Sequence, residues 1–415
     1  RYFIIFLLLI SMFGNSTYGK ESNVKYSKEN ISNYLQGILS TKEANFKKAY
    51  KHLNKTEGLK NIHSNFNIEF IRTLVLLDKF EEAVKFSKNV LEENNFFYEA
   101  DLILGLDYFI KKEYKKAEKH FERLEKKRTG DLLFKGFIEN ALLSWLAAST
   151  NDQKKITKYY NRIPSGFNNL KKLQNIFIQC NLNNPKTHLL FEKLIEDQEN
   201  NLSRYNFFLI NYLLWKNKNS AANEIINNAR KLHGSNLLIK QSETFLKKNE
   251  IKKIKNLFNC KNPKDSIAEI FYIISNLYSV EKNYELSNFY LKISLLLNKK
   301  FKPNLSLLAE NFFYEKRYDE SKKIYNSLKS VGENYYWFSS LSTAIILSET
   351  EGNEYSTSYL KKQFDSIKKP DHQHFYELAN FYKDNAYHSE AIEYYSLALN
   401  KLSDEHSLKP KILDR

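Results

Sequence analysis

Aromatic and small residues alternate with charged ones in a fixed rhythm along this chain. Phe46-Lys-Lys-Ala49, Phe80-Glu-Glu-Ala83 and Tyr114-Lys-Lys-Ala117 each set an aromatic three positions before an alanine, and the alanines are 34 residues apart. Tyr284-Glu-Leu-Ser287 and Tyr318-Asp-Glu-Ser321 repeat the pattern, again 34 apart, with serine as the small residue. A spacing of three places both residues on one helix face, so each motif predicts an amphipathic helix with its charged residues outward. A compact enzyme core has no reason to recur at fixed phase, whereas stacked two-helix units do. The array is expected over about residues 30–400, close to eleven units, with clear units beginning near 30, 64, 98, 268 and 302. A variant unit is expected near 336–370, with Tyr355 and Ser358 in the diagnostic places. Between 130 and 265 the register slips. There Ile156 with Tyr160 and Ala222 with Ala229 mark degenerate units, while Pro164-Ser-Gly166 and Asn184-Pro185 mark loops.

These positions resemble the tetratricopeptide repeat family, whose unit is a 34-residue helix-turn-helix. Leu378-Ala379, Tyr382, Ala391, Tyr395 and Ala398 fill the family pattern best. Gly105 and Tyr108 with Ala117 and Phe121 match it next, followed by Leu308-Ala309 and Phe312 with Ser321 and Tyr325. The resemblance implies an all-α fold, a right-handed α-solenoid of about eleven antiparallel helix pairs. A small side chain at Gly105 or Ala379 would let Ala117 or Ala391 approach on the second helix, with the aromatic filling the next layer. The expected organisation is N-terminal repeats over 30–129, irregular helical repeats over 130–265, C-terminal repeats over 266–400, and the start of a further, truncated repeat over 401–415.

The resemblance also implies that the first helices line a concave face on which a peptide or partner helix lies. Carried onto this chain, the inner positions are Tyr272 and Asn276, then Glu310, Phe313 and Tyr314, then Tyr376, Asn380 and Lys383. Exposed aromatics supply rigid apolar contact and asparagine pairs with extended backbone. Inter-helix packing is the competing role for each aromatic. Chaperone-binding members hold a terminal carboxylate with a basic clamp; Asn276 here is matched by Glu310, so that role is not expected.

Composition agrees with helix and points to export. Eleven Gly and six Pro in 415 residues are too few for a turn-rich β fold or for glycine-rich ligand loops. Hydrophobic residues at 42%, with 28 Tyr and 30 Phe, exclude wholesale disorder. Phe3 to Phe13 is an apolar run followed by polar residues, with Thr17 and Gly19 at the positions a signal peptidase requires, so residues 1–19 read as a signal peptide cleaved before Lys20. A buried strand is the other reading of Phe3 to Ile10, and the terminal position favours export. The run is too short to span a bilayer as a helix. Residues 411–415 lead toward another first helix rather than a polar cap, so further repeats are expected beyond them. Exported, envelope-associated bacterial members of the family share this layout, which sets the expected location as periplasmic or envelope-associated.

Chemistry is sparse. His372, His374 and Glu377 form the densest set of metal-ligand residue types, but Asp371 reads as a helix cap with solvent-facing polar residues after it, and Asp384 with His388 receives the same discount. Cys180 and Cys260 lie 80 positions apart; they could pair in an oxidising compartment, and buried apolar thiols are the favoured expectation. Glycine-rich phosphate loops, Gly-x-Ser-x-Gly and His-Glu-x-x-His are absent, and Glu81-Glu82 sits on an exposed helix face, so neither an enzyme nor a cofactor is expected. Net charge is +16, and Lys111, Lys112, Lys115, Lys116 and Lys119 with Lys126 to Arg128 are the candidates for an anionic surface. Glu113, Glu118, Glu122 and Glu125 intervene at helical spacings, which favours a solvated, ion-paired face. Nucleic acid is not an expected partner. The expected function is a non-catalytic scaffold that binds a protein or peptide in the bacterial envelope, with peripheral membrane contact secondary. The alternative is a helical auxiliary module that docks an enzyme or binds envelope glycan.

Overall fold

The computed structural model describes residues 27–59, 63–92, 97–127, 133–196, 202–234, 236–402 and 408–414; the predicted signal segment lies outside them. Every regular element among these residues is a helix. Eleven pairs follow one another. The first four are α1 (Lys28–Lys42) with α2 (Phe46–Leu53), α3 (Ser64–Leu76) with α4 (Phe80–Glu92), α5 (Tyr98–Ile110) with α6 (Tyr114–Lys127), and α7 (Ile138–Ser149) with α8 (Gln153–Arg162). The middle pairs are α9 (Asn168–Asn181) with α10 (Thr187–Glu196), α11 (Ser203–Trp215) with α12 (Asn219–His233), and α13 (Leu237–Lys247) with α14 (Ile251–Leu257). The last are α15 (Pro263–Val280) with α16 (Tyr284–Leu297), α17 (Leu305–Tyr314) with α18 (Tyr318–Leu328), α19 (Glu333–Glu351) with α20 (Asn353–Asp365), and α21 (His372–Asp384) with α22 (His388–Leu399). A short α23 (Leu408–Leu413) packs on the end through the buried Ile412. The chain is therefore an α-solenoid of helix pairs, as the resemblance implies.

One turn recurs inside the pairs. Ala44, Asp78, Lys112, Asn151, Asn183, Asn217, Asn249, Lys282, Lys316 and Ala386 all have φ between +53° and +66°. At each, the next residue donates its N–H to the carbonyl five positions back, as Asn45 does to Ser40 at 2.8 Å and Tyr387 to Tyr382 at 2.9 Å, while the left-handed residue donates three positions back. This double bond pattern satisfies the orphan carbonyls of the first helix and reverses the chain. The residue that ends one helix then often caps the next: Asn45, Asp152 and Asn283 accept from the backbone three positions on, at 3.2, 3.0 and 3.2 Å. Gly352, φ +93°, serves the tenth pair.

Five positions after the left-handed residue comes the small side chain at the crossing. Ala49, Ala83, Ala117, Ala222, Ser287, Ser321 and Ala391 are all buried there. Serine replaces alanine where its hydroxyl finds a carbonyl on the facing helix: Ser287 donates to Ser275 O and Ser321 to Ala309 O, both at 2.8 Å. On the other side of one crossing, Gly105 lies under the ring of Phe121, where a Cβ would overlap ring carbons. Ile156 and Ile254 occupy the small-residue position in α8 and α14, which hides the register of the middle pairs from inspection. In the tenth pair the expected register is wrong: Tyr355 and Ser358 are exposed, and Ser356, Thr357, Leu360 and Phe364 face inward. The one-residue turn at Gly352 and the 19-residue α19 shift its phase.

The stack winds back on itself. One continuous apolar core runs from Ala49 to Phe301, and α15 and α16 lie against α3, α5 and α7. Tyr290 meets Tyr98 hydroxyl to hydroxyl at 3.4 Å, Tyr278 packs on Phe134 at 5.5 Å between ring centroids, and Lys292 pairs with Asp78 at 2.6 Å. Arg72 and Lys42 approach Glu285 at 3.5 and 3.9 Å, and the Arg317 guanidinium covers the ring of Phe46 at 5.4 Å. The eighth pair therefore fills the space that the first helices of the early pairs face. The same curvature joins Cys180, at the end of α9, to Cys260, just before α15, in a disulfide with Cα atoms 5.9 Å apart. The expectation of two separate buried thiols is overturned, because pairs distant in sequence become neighbours only once the stack has curved.

Replacing Ala386 or Lys112 by Gly should raise the urea unfolding midpoint, since removal of a left-handed cost of roughly 1–2 kcal/mol outweighs the entropy Gly adds to the unfolded chain, about 0.4–1 kcal/mol. Gly105→Ala should lower that midpoint, with a destabilisation of about 1–3 kcal/mol through overpacking against Phe121. Replacing both cysteines by serine should destabilise by about 4.5 kcal/mol, the chain-entropy value for a loop of this length, and reduction of the wild type should reproduce that loss.

Candidate functional site

A groove opens between α19 and α21, the first helices of the last two complete pairs. It has a volume of about 540 Å³. Leu341, Ile345 and Glu349, one turn apart on α19, form one wall; Glu377, Asn380 and Asp384 on α21 form the other. A short turn binds each helix to its own partner, which leaves these faces uncovered. The floor is tied internally. Trp337 donates its indole N–H to Glu377 at 2.6 Å, Tyr395 donates to Asn380 at 2.6 Å, and Ser348 donates to Asn385 at 3.0 Å. Ile345 stays 43% exposed, and Glu349 and Asp384 are exposed at the rim. A mostly polar lining of amides and carboxylates around Leu341, Ile345 and Phe381 suits a peptide or helix; it brings no nucleophile beside a base.

Of the inner positions inferred from the family, only Asn380 lines this groove. Tyr376, one turn earlier, is half-buried and packs on Tyr395 at 6.0 Å, and Lys383 is half-buried. Phe313 is half-buried between Tyr314 and Tyr318, while Tyr314 is exposed and stacks on Tyr284 at 5.8 Å. Asn276 is exposed. Tyr272 belongs to a second constellation, with the Arg204 guanidinium 3.7 Å above its ring. Arg204 forms a two-pronged pair with Glu269, both bonds 2.5 Å, and donates to Asn304 at 2.9 Å. It ties α11 to α15 and to the start of α17. Burial pushes the Tyr205 hydroxyl up to about 12 and raises Tyr272, Tyr325 and Tyr335. Glu310 is exposed, and desolvation by the surrounding protein raises its carboxyl. Arg204 has no repeat counterpart, and its partners are 65 and 100 residues away, so no local signal marks it.

The other candidates resolve into structural contacts. Asp371 accepts from the His374 N–H at 3.0 Å and His374 completes the capping box, its ring 5.5 Å from that of Trp337. Burial alone would raise the Asp371 carboxyl; the His374 bond and the charge of Lys240 hold it well below its ordinary value. His372 to His374 are half-buried, not solvent-facing as expected. Asp384 and His388 are exposed, and no group of three metal-ligating side chains gathers among the described residues. Around the start of the lysine-rich α6, Lys111 pairs with Asp107 of α5 at 2.8 Å and Lys116 with Glu113 at 2.5 Å. Lys112 is the turn residue, Lys115 and Lys119 are exposed, and the side chains of 126–128 lie outside the described residues.

Neither a family model nor a curated protein matches the chain. Among solved structures, the APC/C hetero-tetramer Cut9-Hcn1 aligns at a TM-score of 0.30 and 13% identity over 93% of this chain and 90% of that one. Naa15/Naa10 bound to HypK-THB aligns at 0.27 and 12% over 92% of this chain and 65% of that one, and yeast Tom70 at 0.26 and 13% over 93% and 94%. No functional argument rests on likenesses this slight.

Arg204→Met should destabilise by about 3–5 kcal/mol, because it leaves Glu269 buried and unpaired. The double variant with Glu269→Met should recover most of that loss in chemical unfolding, since two apolar side chains then share the site.

Proposed function

We propose that this chain is a non-catalytic scaffold that binds a protein or peptide partner, and that it works in the bacterial cell envelope. The observation that carries the binding role is the α19–α21 groove, where two neighbouring first helices leave Ile345, Asn380 and Asp384 uncovered over a hydrogen-bonded floor. A rigid floor lowers the entropy lost on binding, which is the advantage a preformed solenoid surface has over a flexible loop. The eighth pair already occupies the space before the early pairs, so the C-terminal pairs offer the open inner surface. Two features support the envelope setting. The apolar run at residues 3–13 has the layout of an export signal, and the Cys180–Cys260 disulfide persists in an oxidising compartment.

The test is a pull-down from envelope extract with the wild-type chain and an Ile345→Glu variant, whose substituted side chain is on the surface and spares the core. A protein retained by the wild type and depleted about tenfold by the variant, with unchanged circular dichroism, is the expected result. A partner retained equally by both moves binding away from this groove, and a chain that enriches nothing over a blank column argues against a scaffold. Mass spectrometry of the exported protein should find Lys20 at its N-terminus; an intact leader speaks against the envelope assignment.

A further inference from the structure

The chain carries a net charge of +16, yet the α19–α21 groove is lined by three carboxylates and by no cation among the described residues. Glu349 and Asp384 are exposed, and neither enters an ion pair among the described residues. Lys383 and His388, the basic side chains nearest to Asp384 along the chain, do not line the groove. Glu377 is oriented by two uncharged donors, the Trp337 indole at 2.6 Å and the Gln373 amide at 2.7 Å, which fix its carboxylate without cancelling its charge. Carboxylates buried between other helices are matched instead: Glu99 by Arg72, Asp101 by Arg123 and Glu269 by Arg204.

The bonds from Trp337 to Glu377 and from Ser348 to Asn385 set α19 and α21 side by side in the same direction, so Glu349 and Asp384 share one end of the groove. Both stand in the last turns of their helices, where backbone carbonyls already concentrate negative partial charge. The last turn of α19 holds no basic residue to offset it. Glu377 lies two turns earlier on α21, about 10 Å along the axis. Leu341 and Ile345 line the groove between these two levels, and Ile345 is 43% exposed. Asn380, whose side-chain oxygen accepts from Tyr395 at 2.6 Å, keeps its amide N–H to donate to a peptide carbonyl. The carboxylates do not gather around one metal ion, since no group of three metal-ligating side chains occurs among the described residues. Phosphate, of a lipid or of a nucleic acid, would meet like charge here.

We infer that this groove takes a cationic protein segment in extended conformation. One Lys or Arg lies at the Glu349 and Asp384 end, an apolar side chain covers Leu341 and Ile345, and a second Lys or Arg meets Glu377. An extended chain rises roughly 3.3 Å per residue, so the two basic residues are about three positions apart. The inference deepens the scaffold reading and rests on it, since it names the partner chemistry of the same groove. Opposite charge across the contact speeds encounter and turns away acidic competitors, while the apolar side chain fixes the register. A cation at two helix C-termini also relieves the repulsion that Glu349 and Asp384 meet there.

The test is fluorescence anisotropy of the full mature chain with a short labelled peptide that holds two Arg three positions apart and a Leu between them. Two control peptides replace both Arg by Gln or by Glu. The expected result is saturable binding of the Arg peptide that weakens with salt, falls about tenfold or more for the Gln peptide and is lost for the Glu peptide. A Glu349→Gln/Asp384→Asn variant should bind the Arg peptide about tenfold more weakly. Both side chains are exposed in last turns that favour cations, so the urea midpoint of this variant should stay level or rise. Equal affinity for the Arg and Gln peptides, undiminished binding by the variant, or no binding of the Arg peptide would each overturn the inference. The pull-down separates this from a failure of the scaffold reading. A partner depleted by Ile345→Glu but retained in full by Glu349→Gln/Asp384→Asn keeps the groove and removes its cationic partner, whereas a chain that enriches no protein fails the scaffold reading itself.

Discussion

A single left-handed residue, repeated at nearly every pair, carries the architecture. It ends the first helix by giving two orphan carbonyls a donor each, and it aims the second helix back along the first. Only the tenth turn uses glycine. The other ten accept the steric cost in alanine, aspartate, asparagine or lysine, which the packing of the pair offsets. Once the turn is set, the residue five positions on must meet the facing helix, and it is small wherever the crossing is close. Where that residue is Ile156 or Ile254 the helices still pair, and the 34-residue phase is no longer legible.

Stacking many such pairs produces curvature, and curvature decides what is exposed. The eighth pair closes on the second, third and fourth through Tyr290, Tyr278 and Lys292, so much of the inner surface of the N-terminal half is occupied by the chain itself. Arg204 does similar work farther along, joining α11 to α15 and to Asn304 by hydrogen bonds and covering Tyr272 with its guanidinium. The disulfide fastens the same region. The α19–α21 groove lies beyond this closed region, between the first helices of the last two complete pairs.

Electrostatics follows the same division between local and distant neighbours. Beside and within charge-dense α6, Lys116 pairs with Glu113 three positions back, while Arg123 reaches Asp101 on α5. The stretch between Asp152 and Glu192 has no acidic residue, and Lys155 in it reaches Glu118 on the neighbouring α6.

Much of the fold was legible from local pattern. Phe46 with Ala49, Tyr284 with Ser287 and their repeats carry the helix pair and its period in adjacent residues, because a helix face and a helix cap are properties of five or six consecutive positions. The cap at Asp371 was readable for the same reason. The candidate site was legible only in part: Asn380 lies in the groove, but Trp337 on Glu377, the cover on Tyr272 and the register of Tyr355 depend on the length and angle of neighbouring helices. The Cys180–Cys260 bond, the Arg204–Glu269 pair and the contact of α16 with α3 were decided by tertiary structure alone. Small rotations between successive pairs accumulate over the stack, and no single repeat encodes where their sum will bring the chain back on itself.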